Sequence, residues 1–256
     1  MADSGTPSEA PPFVHLIAGP TGVGKSAAAT DLARVTGAPV VVADRLQCFT
    51  DLATTSARAG AAVPGVHRHW LGDRTVADGD LSAAQATDTL VNMVEDLGRR
   101  HGFVIVEGGS ISLLRELSAR RADLDWRLTV RLLPVPERAE YITALTRRAR
   151  VMLAPPAPDR GLLDELAALW QDPHHRWFAA SVNGFEAVLE CCAKYSLNVK
   201  TLHKRNLPEH ILARMADLIA ERHAEHGFLQ HRVFTEIFET RIPGTRFDFG
   251  ALERAA

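Results

Sequence analysis

Residues 13–44 read FVHLIAGPTGVGKSAAATDLARVTGAPVVVAD. FVHLIA (13–18) and PVVVA (39–43) are short apolar runs of the kind that form strands of a parallel sheet. Between them Lys25 to Thr36 is rich in alanine, carries Leu32, Ala33 and Val35, and is followed by Gly37, a residue suited to ending a helix. The stretch is therefore a strand, helix, strand unit. Its turn, Gly19-Pro-Thr21-Gly22-Val-Gly24-Lys25-Ser26, fits GxxxxGK[ST] and falls after a strand and at a helix start, where that pattern has a mechanism. The glycines let backbone N–H groups turn inward around phosphate oxygens, and the helix N-terminus adds positive potential. Lys25 supplies a mobile charge and the Ser26 hydroxyl can ligate Mg²⁺. A diphosphate or triphosphate is the expected ligand; a merely structural Gly-rich turn is the alternative.

Outward from this unit, FVIV (103–106) and LTVRLLPV (128–135) supply two more strands. Ser82 followed by Gln85 forms a capping-box pattern, and Leu90, Val91, Val94 and Leu97 continue it at helical spacing. After Met152 the strand signals stop. APPAPDRG (154–161) is a Pro-rich break. LLDELAALW (162–170), GFEAVLECCAKY (184–195) and ILARMADLIAERHAEHGFL (211–229) then place apolar residues three and four apart. The expected architecture is α/β, a P-loop NTPase-like parallel sheet flanked by helices and followed by a smaller α-helical part. The expected divisions are a flexible tail at 1–12, a P-loop core at 13–153 and the helical C-terminal part at 154–256.

The composition fits one or two ordinary globular domains: 256 residues, 46% hydrophobic and 23% charged. Lys plus Arg number 29 against 31 Asp plus Glu, so a net charge of -2 offers no general attraction to a polyanion. No apolar run reaches membrane-spanning length, and Met1 to Pro12 lacks the features of a signal peptide, so a cytoplasmic protein with no membrane or nucleic-acid partner is expected. Three cysteines, Cys48, Cys191 and Cys192, fit neither a disulfide framework nor a metal spacing and are read as reduced thiols.

Two strand ends carry further chemistry. Asp44 emerges at the carboxyl end of the second strand, where open α/β sheets bind ligands, although an Asp there also serves as a turn or cap residue. The third strand closes with Glu107-Gly-Gly-Ser110-Ile-Ser112, whose glycines allow close backbone approach and whose helix start can hold a second anion. A purely structural turn is the alternative; a second phosphate subsite would mean two phosphorylated substrates.

GPTGVGKS, then Asp44-Arg-Leu-Gln-Cys, then EGGSIS, then LLDELAALW together resemble the adenylate isopentenyltransferase family of bacterial cytokinin-synthesis enzymes, over about Phe13 to Gln230. The resemblance implies transfer of the dimethylallyl group of dimethylallyl diphosphate to N6 of AMP, with ADP and ATP as other acceptors. It implies Mg²⁺ as cofactor, on Ser26, and small-molecule partners. Gly19, Thr21, Gly22, Gly24, Lys25, Ser26 and Arg148 match diphosphate ligands, with Lys25 and Asp44 catalytic and Asp44 the base for the exocyclic amine. Arg45, Ser56, Arg58 and Ser110, with Asp44, match the AMP site. Thr55 stands where the family has glycine before Ser56. Asn183 and His226 match positions associated with the prenyl-donor pocket, Asn183 replacing a carboxylate. Arg160 is the only basic residue in the Pro-rich break. The tRNA-modifying relatives typically read Asp-Ser where this chain has Asp44-Arg45. A tRNA dimethylallyltransferase and a P-loop small-molecule kinase are the competing functions.

His67, His69, His174, His175 and His203 are read as loop residues with no metal spacing. Trp70, Trp126, Trp170 and Trp177 are assigned to the core or its rim. Arg147 and Arg150, flanking Arg148, fit a solvated helix face as well as a site.

Overall fold

A computed structural model describes residues 10–58, 63–156, 159–204 and 206–239. Five parallel strands form the sheet: β1 (Phe13–Ala18), β2 (Val40–Val42), β3 (Arg68–Trp70), β4 (Phe103–Gly108) and β5 (Arg127–Leu132). Their order is β3-β2-β4-β1-β5. The central strands β1 and β4 are buried on both faces, which is why they read as unbroken apolar runs. The connections are α1 (Lys25–Thr36), α2 (Ala83–His101) and α3 (Ile111–Ala119). Local chemistry sets their ends. Gly37 adopts the left-handed conformation after α1 and returns its N–H to Ala33, while Ser82 and Gln85 form the expected capping box of α2.

The remaining helices are α4 (Arg138–Leu153), α5 (Leu162–Leu169), α6 (Arg176–Ser181), α7 (Phe185–Lys194) and α8 (Glu209–Glu239). Two of these differ from the sequence reading. Helix α4 carries the Arg147-Arg148-Ala-Arg150 run, and α8 extends to Glu239 rather than ending near Leu229. The last turns of α8 leave the helical layer: Val233, Phe234, Ile237 and Phe238 pack with Val14, Leu16, Val104 and Val106 of the sheet. A second cluster joins Phe49 and Leu52 to Leu162, Leu166, Phe185 and Met215, so the two halves share their packing. Of the N-terminal stretch, residues 1–9 lie outside the described residues; the Pro12 carbonyl accepts from the Arg127 N–H.

Strand β3 is a correction to the sequence reading, which left His67 and His69 in loops. His69 lies in β3, paired with Val41, and the strand is too short and too polar for periodicity to reveal. The cysteines are free and buried, as expected. Among the described residues no helix is long and apolar enough to cross a membrane.

The sheet contains one buried histidine. His15 faces Thr129 across the β1–β5 register, Nδ1 to Oγ1 2.8 Å, and burial, with Arg131 nearby, pushes its pKa down to about 4. An unfolded histidine takes its proton near pH 6.5, so acid favours the unfolded chain. Stability is expected to fall as the pH drops from 6.5 towards 4, by up to about 2 kcal/mol from His15 at pH 5. Asp44 and Glu165, whose carboxyls burial pushes upward, act in the opposite direction. The histidine contribution is therefore read as a difference: His15→Asn should lower the melting temperature less between pH 7 and pH 5 than the parent chain does.

Candidate active site

The carboxyl ends of β1, β2 and β4 meet at one edge of the sheet. Ala18 pairs with Gly108, and Val42 with Glu107, so the phosphate loop, Asp44 and the Glu107-Gly-Gly turn are brought together by register alone. Gly108 is required there, because a Cβ would stand 2.2 Å from the Ala43 carbonyl oxygen. Within the phosphate loop Gly22 has φ +75°, and a Cβ there would press on Leu145 of α4 at 2.8 Å.

Helices α4 and α8 hold the loop from behind. The Tyr141 hydroxyl donates to the Thr21 carbonyl at 2.5 Å, and the Thr21 N–H donates to Gln230 Oε1 at 2.8 Å. Gln230 Nε2 in turn donates to the Gly109 carbonyl at 2.6 Å, tying the phosphate loop to the second glycine turn. The backbone of Thr21 is thus fixed on both sides.

The charges divide into two groups. Lys25 Nζ donates to the Pro20 carbonyl at 2.6 Å, and burial lowers its pKa to about 8 against the raising influence of Glu107 and Asp44. Arg148 turns inward from α4 while Arg147 and Arg150 are exposed. Burial lowers the Arg148 pKa, and it forms no ion pair among the described residues. An inward arginine without a carboxylate is a place for an anionic ligand. Opposite these cations, Asp44 accepts from the Leu46 N–H at 2.9 Å, and burial pushes its pKa upward, opposed by that hydrogen bond and by Lys25.

Glu107 forms a buried ion pair beside this group. Arg68 of β3 donates to its Oε1 at 2.6 Å, with the side chains 4% and 2% exposed, and the Ser26 hydroxyl donates to the same oxygen at 2.8 Å.

Two cavities of about 520 and 540 Å³ open from this edge. One holds the phosphate loop, with Gly22, Gly24, Lys25, Ser26 and Arg68 in its wall. The other is lined by Arg45, Ser110, Phe49, Phe178, Asn183 and His226. Thr21, Asp44, Ser56 and Arg148 line both. Ligands in the two cavities would share that wall.

Most sequence-derived candidates therefore converge. Arg45 is held by Leu81 O at 2.5 Å, Ser112 Oγ at 2.9 Å and Asp80 at 2.9 Å. Ser56 is buried, and its Oγ has no hydrogen-bond partner among the described residues. Arg58 is placed differently. It donates to the Gln47 and Gly72 carbonyls, pairs with Asp73 and lies 4.6 Å over the Trp70 ring, and it lines neither cavity. Arg160 also lies away from the cleft walls and donates to the Asp164 carbonyl.

The same cavity has a lining residue that the sequence did not single out. His223, one turn before His226 on α8, is buried with its Nδ1 unpartnered, and burial pushes its pKa down to about 4. His226 is lowered as well, first by burial and then by Lys25. Neutral imidazoles in a cavity walled by Phe49, Phe178 and Val182 suit an uncharged ligand group with limited polarity. Arg68, Tyr141 and Gln230 also escaped the sequence reading. Periodicity could have assigned the two helical residues to inward faces, but not to the phosphate loop.

A glycine-rich loop at the carboxyl ends of a parallel sheet, beside two cavities that share a wall, defines a protein of P-loop-like α/β fold. More particularly, the chain belongs to the isopentenyl transferase family, whose model matches residues 12–244. It is 40% identical to an adenylate dimethylallyltransferase of Rhodococcoides fascians, over 89% of each chain. It is 34% identical to an enzyme of the same name from Ralstonia nicotianae, over 89% of this chain and 95% of that one. The fold is similar to that of the full-length tRNA isopentenylpyrophosphate transferase of Bacillus halodurans, with a TM-score of 0.66 over 94% of both chains at 15% identity.

Proposed function

We propose that the protein transfers the dimethylallyl group of dimethylallyl diphosphate to N6 of AMP, releasing diphosphate, as the first step of cytokinin biosynthesis. The observation that carries this reading is the wall common to the two cavities, where Asp44 faces Lys25 and Arg148. The phosphate loop holds the donor's diphosphate. Lys25, Arg148 and the loop amides neutralise the charge that grows on the departing oxygens as the allylic C–O bond breaks. The adenine amino group is a poor nucleophile because its lone pair is delocalised into the ring. Asp44 accepts its proton as the C–N bond forms, and a carboxylate whose proton affinity burial raises suits that task. Arg45, Ser56 and Ser110 orient the nucleotide, while Asn183, His223 and His226 adjoin the five-carbon group.

The donor set suits Mg²⁺. Ser26 Oγ and Glu107 Oε1 are hard oxygens 2.8 Å apart beside the cradle, and Mg²⁺ characteristically takes few protein oxygens when substrate phosphates complete its shell. Among the described residues no cluster of His, Cys, Asp or Glu would hold a metal by itself. Ser26 would hold the ion, with Glu107 behind it, and when bound it would add positive charge against the leaving diphosphate.

The curated relatives named adenylate dimethylallyltransferase support the free-nucleotide acceptor over tRNA, as do the net charge of -2 and Arg45 following Asp44. Incubation with Mg²⁺, dimethylallyl diphosphate and either AMP or unmodified tRNA, read by mass spectrometry, tests this directly. The five-carbon adduct is expected on AMP. An adduct on tRNA alone would reverse the assignment, and phosphate transfer from ATP to an acceptor in place of prenylation would make the protein a kinase.

A further inference from the structure

We infer that Glu165, in the LLDELAALW segment, is a positioning residue for the acceptor: it fixes the loop at residues 54–57 so that the Ser56 hydroxyl is presented to the nucleotide. The inference rests on the acceptor role given to Ser56 above. Glu165 is 3% exposed on α5, in a row with Leu162, Leu166 and Leu169, where an apolar residue would normally pack. Its two oxygens instead accept from the Thr54 N–H at 2.8 Å, the Thr55 N–H at 2.9 Å and the Thr55 hydroxyl at 2.6 Å. All three donors belong to the two residues immediately before Ser56.

The rest of the loop is pinned in the same way. The Thr54 hydroxyl donates to the Arg160 carbonyl at 2.5 Å, and the Ser56 N–H to the Leu52 carbonyl at 2.8 Å. Ala57 is held at φ +61°, a left-handed conformation that alanine disfavours. What this bracing surrounds is a buried hydroxyl, Ser56 Oγ, with no hydrogen-bond partner among the described residues, on a residue that lines both cavities. Buried polar atoms are rarely left unsatisfied, so a loop held this firmly around one points to a ligand as the missing partner. Thr55, where glycine is the family residue, adds a side-chain donor to the same carboxylate.

Steady-state kinetics with donor and acceptor varied separately test the inference. Glu165→Gln keeps the size of the side chain but cannot accept at every contact. It should raise the acceptor KM about tenfold while leaving kcat and the donor KM within about twofold. Ser56→Ala should do the same, and adding Glu165→Gln to it should change the acceptor KM by less than about twofold more, because both act through one contact. Independent multiplication of the two effects, an unchanged acceptor KM, or a joint loss of kcat and both KM values in Glu165→Gln would overturn the role. If Glu165→Gln fails to fold, Thr55→Val removes one bond to the same carboxylate, and an acceptor KM equal to the parent's in that variant is equally fatal. Should the parent enzyme prenylate tRNA and not AMP, the functional reading fails, while the same comparison on the tRNA KM still decides the part played by Glu165.

Discussion

Asp44→Asn should fold, bind dimethylallyl diphosphate as tightly as the parent or more so, and lose about a thousandfold in single-turnover product formation. The amide is nearly isosteric and keeps an oxygen for the Leu46 N–H, so the turn after β2 survives the change. What disappears is the anion, which burial holds at elevated free energy in the parent. Removing it relieves that cost, so the variant should melt at the parent temperature or above it. Donor binding gains in the same way, since a negative charge beside the diphosphate has been deleted. The pattern of retained donor affinity, unimpaired stability and lost turnover separates loss of a proton acceptor from a damaged pocket. Calorimetric titration with the donor and quenched single-turnover assays with AMP measure the two halves. Normal turnover in Asp44→Asn removes the base assignment.

The extent to which this site was legible in the sequence follows from how local its parts are. The phosphate loop, Asp44 and Glu107-Gly-Gly each sit at a strand end, and a parallel sheet gathers such ends by its register. One-dimensional motifs were therefore enough to bring Lys25, Ser26, Asp44 and Ser110 to one edge. Arg148 illustrates the limit. It lies in a run whose spacing fits a solvated face, and only its place on α4 relative to Leu145 and Ala149, both buried, turns it inward while Arg147 and Arg150 remain outside. Helical periodicity applied to that segment would have made the distinction.

Other parts have no local signal at all. Gln230 meets Thr21 across a separation of 209 residues, and Arg68 reaches Glu107 from a three-residue polar strand. Arg58 marks the opposite limit, a motif match whose side chain is engaged by other partners. Its neighbours in sequence are in the site, yet the carbonyls of Gln47 and Gly72, Asp73 and the Trp70 face satisfy its guanidinium elsewhere.

Lys25→Ala should lose donor affinity and turnover together, each by at least about a hundredfold. The ammonium is the flexible cation of the cradle, and it is held by the Pro20 carbonyl at 2.6 Å and close to Gly109, whose Cβ, if present, would lie 3.3 Å from Nζ. The planar guanidinium cannot reproduce the compact ammonium's place beside Pro20, so Lys25→Arg should not restore activity despite keeping the charge. The pH dependence provides an independent check. Burial holds the Lys25 pKa at about 8 in the free enzyme, and only the protonated form attracts the diphosphate. Donor affinity should therefore be full below pH 8 and decline as the pH rises through it, and the Lys25→Ala variant should lack that step. Arg148 remains charged throughout this range and cannot generate it. A parent enzyme whose donor affinity is flat from pH 7 to pH 9, or a Lys25→Ala variant that retains the decline, would place the titrating group elsewhere and remove Lys25 from the role of leaving-group clamp.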